Sequence, residues 1–122
     1  MVIVRSTTGH TFGGYASAPW TSAGGDNCSK AAGCFLFLVE NPHNDAPTCF
    51  DCTNTTYAMY GYSPYGPTFG GGHDIVIFPS SDAGQSYTNF PNSYADTLGR
   101  GNATFTGARN FTPEDYEVWA VI

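Results

Sequence analysis

A chain of 122 residues with 41% hydrophobic and 16% aromatic residues is long enough for one domain with its own core, and its composition excludes a disordered segment. Only 11% of its residues are charged, and the net charge is -6. Four basic residues (Arg5, Lys30, Arg100, Arg109) cannot make the dense basic patch that nucleic acid or an anionic membrane needs, and no apolar run approaches a membrane span.

Strand-like segments follow one another along the chain: Val2 to Arg5, His10 to Tyr15, Cys34 to Val39, Thr56 to Gly61, Asp74 to Phe78, Asn102 to Thr106 and Tyr116 to Ile122. The longest apolar run, Cys34 to Val39, has strand length, and its two apolar faces mark a central strand. Gly24-Gly25, Asn41-Pro42, Ser63-Pro64, Gly66-Pro67 and Gly70-Gly71-Gly72 punctuate the segments as turns. Helical periodicity is confined to Asn92 to Leu98, a short helix or turn, and to a single turn over Pro113-Glu114-Asp115 before the last strand. The pattern predicts a mostly β chain: a two-sheet β-sandwich with one or two short helical turns, forming a single domain over residues 1–122.

Four cysteines, Cys28, Cys34, Cys49 and Cys52, allow three readings. An even count in a small domain suits disulfides, and the local spacings suggest Cys28–Cys34 and Cys49–Cys52. A four-cysteine zinc site is the second reading, although Cys28 and Cys34 are spaced too widely for a tight ligand pair. A redox pair at Cys49-Phe50-Asp51-Cys52 is the third, without the helix that normally follows such a motif. Glycosylation sequons begin at Asn27, Asn54, Asn102 and Asn110. Disulfides and N-linked glycans belong to the same oxidising compartment, so together they point to an extracellular or secretory-pathway glycoprotein. Met1 to Arg5 lacks the apolar stretch of a signal peptide, so an exported form of this sequence is expected to be mature or partial. At least two of the four asparagines are expected to carry glycan, Asn54 and Asn102 first among them.

Read in chain order, the motifs resemble the TLDc domain family, in the divergent form common in protist proteins. The matching residues are Gly9-His10-Thr11-Phe12-Gly13-Gly14-Tyr15, Pro19-Trp20, Cys34-Phe35-Leu36-Phe37-Leu38 and Gly66-Pro67-Thr68-Phe69-Gly70-Gly71-Gly72-His73-Asp74-Ile75. They continue with Ser86-Tyr87-Thr88-Asn89, Tyr94, Phe111-Thr112 and Tyr116-Glu117-Val118-Trp119. The resemblance implies a β-sandwich with small helical insertions and no catalytic residues. Its cytosolic members are linked to oxidation resistance and to binding the proton-pumping V-type ATPase. Two departures stand out. The match starts near Met1, without the N-terminal stretch of complete members, and Gly33 replaces an acid typical of animal members.

Residues that invite a chemical role have structural readings too. His10, His73 and Asp74 could be drawn together as a metal or acid-base set, but strand ends beside glycines suit hydrogen-bonded turn residues. Gly70-Gly71-Gly72 lacks the Lys-Ser/Thr of a phosphate loop, Ser86 and Ser93 lack a nucleophile elbow, and Asp26, Glu40 and Asp45 lack calcium-loop spacing. Trp20 and Trp119 are expected in the core. Tyr57, Tyr60, Tyr62 and Tyr65 form an aromatic stretch, read first as packing and second as a contact surface for a protein or glycan. The sequence therefore predicts no enzyme, cofactor or metal. It predicts a structural or interaction module that binds protein, including copies of itself. Self-assembly into oligomers or filaments would follow if Met1 to Ser6 completed a neighbour's sheet.

Overall fold

In residues 2–6, apolar Val2 and Val4 alternate with Ile3 and Arg5, so one face of an extended segment turns inward. This segment is β1 (Val2–Ser6), and it starts a computed structural model that describes residues 1–17, 28–29 (backbone only), 32–61, 65–78 and 86–119. The other strands are β2 (Thr11–Tyr15), β3 (Cys28–Ser29), β4 (Phe35–Glu40), β5 (Thr48–Asp51), β6 (Met59–Tyr60), β7 (Thr68–Phe69), β8 (Ile75–Val76) and β9 (Pro113–Val118). They form two antiparallel sheets, in the orders β5-β4-β2-β1-β9 and β3-β6-β7-β8.

The inner faces close on each other. Val2, Val4, Phe12, Leu36, Leu38 and Phe50 from the first sheet meet Met59, Phe69 and Ile75 from the second in one buried cluster. Aromatic rings fill its centre: Phe12 lies 5.1 Å from both Phe105 and Phe111, and Phe50 lies 5.0 Å from Phe90. The sheets approach closely where β2 carries Gly14. A Cβ there would stand 2.6 Å from the buried Phe69 ring. Gly14→Ala is therefore expected to destabilise the domain by about 2–3 kcal/mol, read as a lower urea midpoint with an unchanged slope.

The mostly β expectation agrees with this architecture, and the strands expected near residues 2–5, 10–15 and 34–39 agree within a residue. β4 is central, between β2 and β5, with Leu36 and Leu38 buried and Phe35 and Phe37 half-buried on the other face. Other expectations are corrected. Asn102 to Thr106 is no strand: Gly101–Ala103 is a 3-10 turn, because the Asp96 carboxylate takes the amides of Gly99 and Gly101 at 2.8 and 2.9 Å. Asn92 to Leu98 forms no helix. The Ala95 amide donates to the Asp51 carbonyl, and Tyr94 bridges Cys52, so the segment lies along the first sheet. Within Thr56 to Gly61 only Met59–Tyr60 is strand, preceded by a 3-10 turn at Thr55–Tyr57. Pro113 to Asp115 is no turn but the start of β9, where an edge position beside a register shift tolerates a proline. Strands β3, β5 and β7 were not expected at all.

The amino-terminal strand stays in its own body. β1 is hydrogen-bonded on both sides, to β2 and to β9. Met1 and Trp119 exchange backbone bonds at 2.7 Å in both directions. Departure of this strand to complete a neighbour would break two ladders. Trp119 is also not a core residue. It is 57% exposed, because β9 is an edge strand and no described residue covers its end. Trp20 lies outside the described residues.

Candidate interaction surface

Alternation decides which aromatics reach the surface of the second sheet. In β6, Met59 is fully buried, so Tyr60 points outward and is half-buried. Tyr65 precedes β7, His73 sits in the turn between β7 and β8, and Phe78 follows β8. Tyr87 joins them because its backbone bridges Val76 on one side and Asn110 on the other. The rings form one cluster: Tyr60 is 4.6 Å and Tyr65 is 5.5 Å from His73, and Phe78 is 5.1 Å from Tyr65. His73 Nδ1 and the Tyr87 hydroxyl are 2.7 Å apart.

Arg109 caps the cluster. Its guanidinium lies 4.3 Å from the centre of the Tyr87 ring, within cation–π range. Its Nε donates to the Asn89 side chain at 3.0 Å, and its terminal nitrogens make no hydrogen bond among the described residues. Burial lowers the His73 pKa and raises that of the Tyr87 hydroxyl, so both stay neutral near pH 7. Arg109 is thus the formal charge of the patch. Of these residues, the sequence pointed to Tyr60 and Tyr65 as an aromatic stretch. It missed Phe78, Tyr87 and Arg109 as partners, because no local pattern links them. Tyr62 lies outside the described residues, and Tyr57 is exposed on the 3-10 turn.

The turn under the patch is held from below. Gly70 has φ of 85° and His73 has φ of 62°. The amides of Gly70 and Gly71 donate to the carbonyls of Ala58 and Tyr57 at 2.9 and 2.8 Å, so they are not turned toward a phosphate. Asp74 follows, fully buried. Its carboxylate accepts the amides of Asn92, Ser93 and Tyr94 at 2.8 to 3.2 Å. Burial outweighs these donors and pushes its pKa up to about 6.

The histidines are not brought together. His10, near the β1–β2 turn, pairs with Thr8 at 3.0 Å and lines a shallow depression with Glu40 and Asp45. Glu40 accepts from Thr11 at 2.9 Å, and Asp45 is committed to Arg100 at 2.6 Å. Among the described residues no three acids, histidines or cysteines converge as a metal site. Asp26 lies outside the described residues. Ser86 is buried and its hydroxyl accepts the Phe78 amide at 3.0 Å, while buried Ser93 donates its amide to Asp74. Asn54, Asn102 and Asn110 are exposed, and Asn27 lies outside the described residues.

No disulfide joins Cys34, Cys49 and Cys52 among the described residues. In β5, buried Phe50 faces the core, so Cys49 faces out, and Cys52 falls on the core side. Three residues apart on an extended chain, Cys49 and Cys52 point to opposite faces, so the pairing expected from their spacing is not the one the strand presents. Cys28 lies in β3, and its side chain is outside the described residues.

Fold and surface together define a small β-sandwich domain that displays an aromatic patch. The chain belongs to the TLDc domain family: the model of the TLDc domain matches residues 1–122, the whole chain. No curated protein and no solved structure matches it. Family membership identifies the chain as a protein-interaction module.

Proposed function

We propose that this domain is a non-catalytic module that binds protein through the patch of Tyr60, Tyr65, His73, Phe78, Tyr87 and Arg109. The observation that carries this reading is the Arg109 guanidinium laid over Tyr87 with its terminal nitrogens unbonded among the described residues. Half-buried aromatics supply contact area at small entropic cost, and the arginine fork takes a partner carboxylate. A second copy is one source of such carboxylates, since Glu114, Asp115 and Glu117 are exposed along the β9 edge. Self-association then uses side chains of the patch and leaves β1 in place. The test is light scattering after size exclusion, from micromolar to millimolar concentration. Arg109→Ala is expected to weaken self-association at least tenfold while moving the melting temperature by no more than a degree or two. A monomer over the whole range, or an association indifferent to Arg109, counts against the self-binding form of the reading.

The exported glycoprotein is the finer reading, and three exposed sequon asparagines support it. The cytosolic alternative is the oxidation-resistance and V-ATPase-binding role implied by the resemblance. Intact mass of protein from its natural source separates the two. Mass well above 13.0 kDa that falls on enzymatic deglycosylation is expected for the first. Bare mass with unmodified asparagines is expected for the second.

A further inference from the structure

The last register pair of the β4–β5 ladder is Phe35 with Asp51. One step beyond it stand Cys34 and Cys52. The ladder still reaches them, since the Cys52 amide donates to the Cys34 carbonyl at 3.4 Å. Alternation places both on the core side: Cys34 shares a face with Leu36 and Leu38, and Cys52 with Phe50. Cys34 is buried in the core cluster, and Cys52 is half-buried against it. Opposed residues in a hydrogen-bonded antiparallel pair have Cα atoms about 5.5 Å apart, near the commonest separation across a disulfide. Cys52 lies one residue past the end of β5, so closing toward Cys34 leaves the β4–β5 register intact. Cys49 cannot compete for Cys52, because it occupies the opposite face of the same strand.

We propose that Cys34 and Cys52 are a cross-strand dithiol that a low-molecular-weight disulfide, such as oxidised glutathione, converts to a disulfide. The more accessible Cys52 thiolate attacks one sulfur of the small disulfide. That S–S bond breaks, one small thiolate leaves and takes a proton, and a mixed disulfide remains on Cys52. Cys34 then gives up its proton and attacks the Cys52 sulfur, expelling the second small thiolate. Two protein thiols are oxidised by two electrons, and one small disulfide is reduced to two thiols. The amide and hydroxyl of Ser17, 3.5 and 3.6 Å from Cys34 Sγ, are placed to support the attacking thiolate. The bond would tie the end of β4 to the segment that leads from β5 into the 3-10 turn at Thr55–Tyr57.

The experiment equilibrates the folded, unmodified chain without denaturant in buffers of rising oxidised-to-reduced glutathione ratio. Remaining thiols are alkylated and the protein is digested without reduction. Cleavage after Lys30 and before Asp45 and Asp51 places all four cysteines on separable peptides. The expected result is a linked peptide pair carrying Cys34 and Cys52, accompanied by loss of two hydrogens from the intact monomer. Linkage of Cys34 to Cys28 or Cys49, linkage of Cys52 to Cys28 or Cys49, a disulfide-bonded dimer, or unlinked Cys34 and Cys52 at the most oxidising ratio overturns the proposal.

Discussion

Asp74→Ala is expected to destabilise the domain by about 3–5 kcal/mol, enough to unfold much of a marginally stable population at 25 °C. The carboxylate is fully buried and is the acceptor for three consecutive amides, those of Asn92, Ser93 and Tyr94. Removing it leaves buried N–H donors without a partner, each costing about 1–3 kcal/mol. The bonds also have reach. They tie the turn after β7 to the segment that bridges Cys52, and hence the second sheet to the rim of the first. Asp74→Asn keeps the volume but turns an NH2 donor toward the same amides, so it is expected to cost about 2 kcal/mol. Chemical denaturation followed by tryptophan fluorescence measures both.

The same residue sets a pH dependence. The folded-state pKa of Asp74 is pushed up to about 6 by burial, above the ordinary carboxylate value of about 3.8. Between those values the folded chain holds a proton that the unfolded chain has released. The stability associated with that proton is complete below about pH 3.8 and is lost as pH rises through about 6. Measured against Asp74→Asn, which does not titrate, the wild type is expected to lose up to about 3 kcal/mol between pH 4 and pH 7. An advantage that grows with pH would mean that the amide donors outweigh burial.

Phe105→Ala carries a comparable expected effect, about 3–5 kcal/mol. Phe105 is completely buried, 5.1 Å from Phe12, 5.3 Å from Phe90 and 5.9 Å from Phe50. It joins rings from β2, from β5 and from the loop before Tyr94, so its loss opens a cavity where no single neighbour can collapse. Phe105→Leu, which retains most of the volume, is expected to cost about 1–2 kcal/mol. The difference in urea midpoint between the two variants isolates packing from the local turn. Equal midpoints would place the stabilisation in the turn instead.

Phe105 also shows where sequence patterning misleads. Thr-Phe-Thr alternates like a strand, and the residue is buried as a strand residue would be. Its backbone is a turn, because Asp96 binds two nearby amides and the Thr104 hydroxyl bonds the Gly101 carbonyl at 2.7 Å. Short polar side chains competing for backbone bonds are invisible to a periodicity argument. Strand β5 was hidden for a different reason. Its four residues, Thr-Cys-Phe-Asp, expose all but Phe50 and Thr48, and their chemistry drew attention to the cysteines instead.

The sequence by itself determined the β character, the central place of the Cys34 to Val39 strand, and the family. These follow from period-two alternation and from motifs in order, which are local properties of the chain. Tertiary structure alone decided which cysteines face each other, that β1 lies between β2 and β9, and that Arg109 crosses Tyr87 beside His73. Each of these depends on register between strands far apart in sequence. Register is set by the summed packing of a whole face, with a one-residue slip exchanging the faces, so no short segment encodes it.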